Sequence, residues 1–243
     1  MSPLIVLLFL GLVSALYATA GQAGGSGFVA VMTFADFPSS QIRTTSFALN
    51  IVAAVYSVWH VHRAGLMDWN LLRRVLATSL PAAFLGGTIS LGGKSYFLLT
   101  AALLVSASIL MLIKADAQEN AKVEPKTAWL AGGITGLVSG LSGVGGGVFL
   151  SALLILFAKV SPKKMAALSP PFILVNSALS LAGALITGAR VPIAVVWFAF
   201  AALVGSAVGT AVGLRWMSAN AIRRVLAAIL VVGAAQMVLR ALG

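Results

Sequence analysis

Ten apolar runs make up most of this 243-residue chain, and none of them contains an aspartate or a glutamate. That pattern confines the chain to folds built in lipid, where a carboxylate without a partner is costly. The runs fall at 4–20, 28–35, 44–62, 71–91, 96–113, 128–142, 148–158, 166–187, 192–213 and 222–241. Composition agrees: 60% of residues are apolar, 9% are charged and the mean hydropathy is +1.05, whereas a soluble domain carries about 25% charged residues to face water. Six runs, 44–62, 71–91, 96–113, 166–187, 192–213 and 222–241, are long enough to cross a hydrocarbon core about 30 Å thick. The pairs 4–20 with 28–35 and 128–142 with 148–158 each contain a short member and a Gly-rich break. They read as hairpins that enter the membrane and return, because broken backbone at depth survives only inside protein or beside water. Ala18-Thr19-Ala20 after an apolar stretch also resembles a signal-peptide cleavage site. Against this, no basic residue precedes the stretch, and the segment recurs later in the chain.

The recurrence is a tandem repeat. GLVSAL at Gly11–Leu16 returns as GLVSGL at Gly136–Leu141, and Gly21-Gln22-Ala23-Gly24-Gly25 faces Gly143-Val144-Gly145-Gly146-Gly147. Thr45-Ser46 faces Leu168-Ser169, Gly65 faces Gly188, and Gly86 faces Gly209. The offset stays near 123 residues, which divides the chain into repeats at 1–114 and 127–243 joined by a polar linker at 115–126. A hairpin plus three full spans crosses an odd number of times, so the second repeat is expected upside down relative to the first.

Charge tests that expectation independently, because Lys and Arg in short loops favour the cytoplasm. Arg63, Arg73 and Arg74 oppose a lone Arg190 in the equivalent loop. Arg215, Arg223 and Arg224 oppose a lone Lys94, and Lys159, Lys163 and Lys164 oppose Arg43. Adding Lys114, Lys122 and Lys126 of the linker puts twelve basic residues on one side, against four (Arg43, Lys94, Arg190 and Arg240) on the other. Inversion requires this antisymmetry. Both termini are then expected outside and the linker in the cytoplasm, as a multi-pass protein of the cell inner membrane. The net charge of +11 becomes a topology signal, and nucleic acid is not expected as a partner.

Inverted repeats with broken helices place a substrate between the halves. Here Gly21, Gln22, Gly24, Gly25 and Ser26 on one side, and Ser142, Gly143, Gly145, Gly146 and Gly147 on the other, would aim free helix N-terminal N–H groups at an anion. Thr45, Ser46, Asn50, Ser169 and Asn176 are the polar side chains placed to orient it. Pro170-Pro171 is expected to break the start of its helix and free backbone groups there. Close helix packing is the competing reading of the glycines.

Other chemistries are poorly supplied. The chain has no cysteine and two histidines, so no catalytic residues, cofactor or metal site is expected. Gly93-Lys94-Ser95 resembles the end of a phosphate loop but lacks its earlier glycine, since Thr88 stands there. The missing carboxylates disfavour cation transport and give a proton or sodium ion no obvious carrier.

GLVSGLSGVGGG, the shorter GQAGG, Thr45-Ser46 with Asn50, and Gly65-x-x-Asp68-Trp69 together resemble the TauE/SafE family of sulfite and organosulfonate transporters, over essentially the whole chain. The resemblance implies an anion permease that exports sulfite, sulfoacetate or a related organosulfonate by alternating access. Import of sulfonate, thiosulfate or sulfate coupled to an ion gradient, and an anion channel, are the alternatives. A homodimer in the bilayer is compatible with it. Ala23, Ser151 and Leu168 depart from the family pattern, where a glycine, a proline and a threonine are usual.

Overall fold

The computed structural model describes residues 1–113, 118, 121–212 and 219–242. Lys114, Arg215, the side chain of Arg223 and most of the linker lie outside the described residues.

Among the described residues ten helices follow in order: α1 (Pro3–Ala18), α2 (Gly25–Phe34), α3 (Ser39–Arg63), α4 (Trp69–Thr88), α5 (Gly93–Leu112), α6 (Pro125–Ser142), α7 (Gly147–Ala158), α8 (Pro162–Ile186), α9 (Val195–Val212) and α10 (Ala219–Leu242). Among the described residues the only β-pairing is an isolated bridge between Gln118 and Val160. All ten apolar runs are helical, and both Gly-rich breaks separate short helices: α2 has 10 residues and α7 has 12. By length and composition, α5 and α8 are the two described helices that can each cross a membrane unaided. α3 and α10 have 25 and 24 residues but carry basic residues towards their ends.

The surface is apolar and the interior holds the polar groups, the reverse of a soluble protein. Leu4, Leu8 and Leu12 recur every four residues on the outer side of α1, while Leu10, Val13, Ser14 and Tyr17 are buried. α9 turns Trp197, Phe200 and Val208 outwards, and α6 does the same with Leu130 and Ile134. Such a continuous belt of large exposed apolar side chains is a lipid-facing surface. Inside lie Gln22, Ser46, Asn50, Ser139, Ser169 and Asn176, each no more than 5% exposed.

Two glycine seams hold helices in near backbone contact. A methyl on Gly205 or Gly209 of α9 would collide with the carbonyl oxygens of Gly11 and Ala15 on α1. A methyl on Gly132, Gly136 or Gly140 of α6 would collide with those of Val75, Ser79 and Ala83 on α4. In both seams the residue numbers rise together, so the paired helices run parallel. Each seam joins a helix before the linker to one after it, and such small-residue contacts let helices associate without a hydrophobic driving force between them. Where lipid has already removed that drive, lost backbone approach is expensive. Gly136→Val is expected to destabilise the protein by about 1–3 kcal/mol or more through overpacking, seen as a lower melting temperature in detergent, whereas Gly65→Ala tests φ alone, because the side of Gly65 is open.

Candidate functional site

Five glycines in the two breaks adopt left-handed backbone, and four of them fall at positions that correspond in the sequence. Gly21 (φ 69°) corresponds to Gly143 (φ 83°), and Gly24 (φ 112°) to Gly146 (φ 72°). Gly145 (φ 83°) has Ala23 as its counterpart, which does not take positive φ. The first turn therefore closes with one left-handed residue fewer, a geometric reason for alanine there. Gly24 and Gly146 are the N-caps of α2 and α7, and neither helix start receives a side-chain cap. The first helical bonds are Phe28 N–H to Gly24 O and Leu150 N–H to Gly146 O, so the N–H groups before them are left for other partners.

The two breaks interlock. A methyl on Gly25 would strike the carbonyl oxygen of Val144, and one on Gly147 would lie 2.6 Å from Gln22 Oε1. The two contacts involve corresponding positions of the sequence, one at a main-chain oxygen and the other at a side-chain oxygen. Each turn is seated on a helix from the other side of the linker: Gly21 against the backbone of Ala166 on α8, and Gly143 against that of Arg43 on α3.

Two polar groups meet at this crossing. In the first, Gln22 Nε2 donates to Ser151 Oγ at 3.1 Å, and the hydroxyls of Ser151 and Ser169 share a hydrogen bond of 2.8 Å. In the second, Ser46 Oγ lies 2.7 Å from Gly143 O and 3.3 Å from Gly25 O, and Asn50 Nδ2 donates to Gly143 O at 3.3 Å. Gln22 Oε1, Asn50 Oδ1 and Thr45 Oγ1 are buried without a hydrogen-bond partner. Buried polar atoms are normally paired, so the two open amide oxygens of Gln22 and Asn50 leave the crossing able to receive a polar partner. A half-turn of either amide would present its NH2 group instead.

The structure separates the remaining sequence candidates. Ser26 donates to Tyr17 across the first hairpin, and Ser142 donates to Val138 O while accepting from Val144 N–H, so both brace turns. Asn176 donates to Phe172 O of its own helix, with its oxygen buried and unpaired. Pro170 and Pro171 do not break α8, which is continuous through them. Surrounding packing holds the helix together, and what the missing N–H groups change is that Ala166 and Ala167 lose their α-helical donors. The Ala166 carbonyl is the one that meets Gly21.

Sequence reasoning placed Ser151 outside the site and Arg43 in a loop. Ser151 bridges Gln22 and Ser169, and Arg43 lies inside α3, 7% exposed. The signal for Arg43 was its spacing, since residues 43, 46 and 50 share one helical stripe.

A cavity of about 730 Å³ reaches Gly21, Gln22 and Ser151 between apolar walls that include Val148, Ile155 and Leu156, and its far end is lined by His60, Leu66, Ser161 and Lys163. Beside it, Asp68 caps α4 by accepting from Leu71 N–H at 3.0 Å and pairs with Lys164 at 2.6 Å. Burial pushes the Asp68 carboxyl up, but the Leu71 N–H and Lys164 together hold it below the usual carboxylate range.

Ten helices with a lipid-facing belt around a buried crossing of two broken helices define a helical membrane protein of the kind that encloses a polar site at depth. The model of the sulfite exporter TauE/SafE family matches residues 5–237, and the chain belongs to that family of membrane transporters. A probable membrane transporter protein, y4hK of Sinorhizobium fredii (strain NBRC 101917 / NGR234), is 30% identical over 222 residues, covering 89% of this chain and 90% of that one. No solved structure matches the chain.

The Asp68–Lys164 pair is only partly buried, so it is worth less than about 1 kcal/mol. A carboxyl whose folded pKa is depressed adds stability above its unfolded pKa and loses it as pH falls through the folded value. Asp68→Asn keeps the cap and removes the charge. Its melting temperature should lie slightly below wild type at neutral pH, with the gap closing as pH falls through and below the carboxylate range.

Proposed function

We propose that this protein is a secondary transporter that exports a small sulfur-containing anion, such as sulfite, sulfoacetate or a related organosulfonate, by alternating access. The observation that carries the reading is the interlocked crossing, where two uncapped helix starts lie beside buried, unpartnered amides at Gln22 and Asn50. Backbone N–H groups at a helix start attract negative charge, and the hydroxyls of Ser46, Ser151 and Ser169 with the amides of Gln22 and Asn50 would orient the oxygens. No carboxylate is buried among the described residues, which favours an anion over a metal cation. With the cell interior negative, each negative charge gains about 2.3 kcal/mol per 100 mV on moving outward, so export needs no coupling ion.

The inverted arrangement of six full spans and two hairpins belongs to the same reading. Its support is the parallel run of α1 with α9 and of α4 with α6, because three reversals separate α1 from α4 and α6 from α9. Sidedness is supported by clustering. Thr44 donates to Arg190 O, Arg240 approaches Asp36 at 3.7 Å and donates to Phe37 O, and Gly93 beside Lys94 faces Ser39. These are the four sparse basic positions with Arg43, gathered at one end. Asp68–Lys164 and Arg74 with Val123 O belong to the cytoplasmic end.

The test is binding of sulfite, thiosulfate and sulfoacetate to purified protein, followed by counterflow in liposomes to separate a carrier from a channel. Gln22→Leu and Asn50→Leu, close to isosteric, should each weaken binding at least about tenfold, or 1.4 kcal/mol, in protein that remains folded. Unchanged binding in both, or no oxyanion bound by the wild type, would overturn the proposal.

A further inference from the structure

Arg43 is the one charged residue among the buried polar and charged side chains described. A guanidinium cannot shed its proton, and taking an ion out of water costs several kcal/mol unless partners replace the solvent. The ion pairs of the described residues are Lys164–Asp68 and Arg240–Asp36, so Arg43 has no carboxylate. It donates instead to Ile89 O and, at 2.7 Å, to Gly87 O at the end of α4. These carbonyls sit at the negative end of a helix and offset part of the charge. Two of its five N–H groups are accounted for in this way.

Its place relative to the crossing is informative. Arg43, Ser46 and Asn50 lie at i, i+3 and i+7 on α3, one stripe facing the second hairpin. The backbone of Arg43 supports Gly143, while Ser46 and Asn50 reach Gly143 O. Tyr96 of α5 is the titratable side chain beside the guanidinium, and its hydroxyl donates to Ser142 O of the same turn at 2.9 Å. At the corresponding positions on α8, Ala166 meets Gly21 and lines the cavity, Ser169 bonds Ser151, and Ile173 packs on Gly145 and Gly147. The cation is in one stripe alone, and Arg43 is not among the residues that line the cavity. A structural cap would be served there by any uncharged donor pair, whereas a buried full charge adds attraction for an anion and discriminates by its valence.

We infer that Arg43 is a specificity-determining residue that supplies the fixed positive charge for the transported oxyanion at a part of the crossing outside the cavity, exchanging the α4 carbonyls for substrate as that part opens. The inference rests on the anion-transport reading above. It assigns that site a preference for dianions over monoanions of the same size.

The experiment compares binding of sulfoacetate, a dianion, with isethionate, a monoanion of similar size, by the purified full chain. Arg43→Gln is expected to weaken sulfoacetate at least tenfold and isethionate several-fold less, narrowing the ratio between them, while Arg43→Lys preserves the ratio. If Arg43→Gln does not fold, Arg43→His serves: its affinity for sulfoacetate relative to wild type should fall as pH rises and the imidazole loses its proton. A folded Arg43→Gln with an unchanged ratio, or an Arg43→His whose relative affinity is flat with pH, overturns the assignment while leaving transport intact. Wild-type protein that binds neither anion overturns the transport reading and this inference with it.

Discussion

Backbone groups in a bilayer have no water to fall back on, so a helix can be interrupted at depth only where other protein takes over. Here each interruption is completed by the other. The start of α2 lies against the turn before α7, with Gly25 at Val144 O, and the start of α7 lies against the turn before α2, with Gly147 at Gln22. Neither break could stand alone in lipid. Burial of the Ser, Gln and Asn side chains there and the seating of the turns on α3 and α8 follow from that mutual completion.

What the sequence revealed and what it hid follow from this geometry. Glycine at a left-handed position is a strong local constraint, so the two breaks, the short helices after them and the correspondence of Gly21 with Gly143 and Gly24 with Gly146 were legible. Asp68 stood in the sequence only as part of the Gly65-x-x-Asp68-Trp69 segment, and its role as the cap of α4 came from the structure. Pairings between distant segments were not: nothing local says that Ser151 would bridge Gln22 and Ser169, or that Ser26 would spend its hydroxyl on Tyr17. Arg43 was misread because a charge near an apolar run suggests an aqueous loop, whereas α3 begins four residues earlier, at Ser39. Pro170 and Pro171 suggested a break because local propensity disfavours them inside a helix, but packing overrides a few kcal/mol of local preference.

The corresponding segments on the two sides of the linker share left-handed glycines at the breaks but differ in side-chain chemistry. At corresponding positions the first offers Gln22, Arg43 and Asn50 where the second offers Val144, Ala166 and Ile173, and Ser46 and Ser169 are retained in both. Gln22, Asn50 and Arg43 precede the linker, whereas Ser151, Ser169 and the buried amide of Asn176 follow it.

The glycine seams bear on how such a protein can move. α9 is pressed against α1, and α6 against α4, with no room for a methyl group. Each seam ties a helix before the linker to one after it. A rigid swing of the helices before the linker against those after it would have to shear both seams. Motion that carries each seamed pair as a unit, past the crossing of the hairpins, leaves them intact.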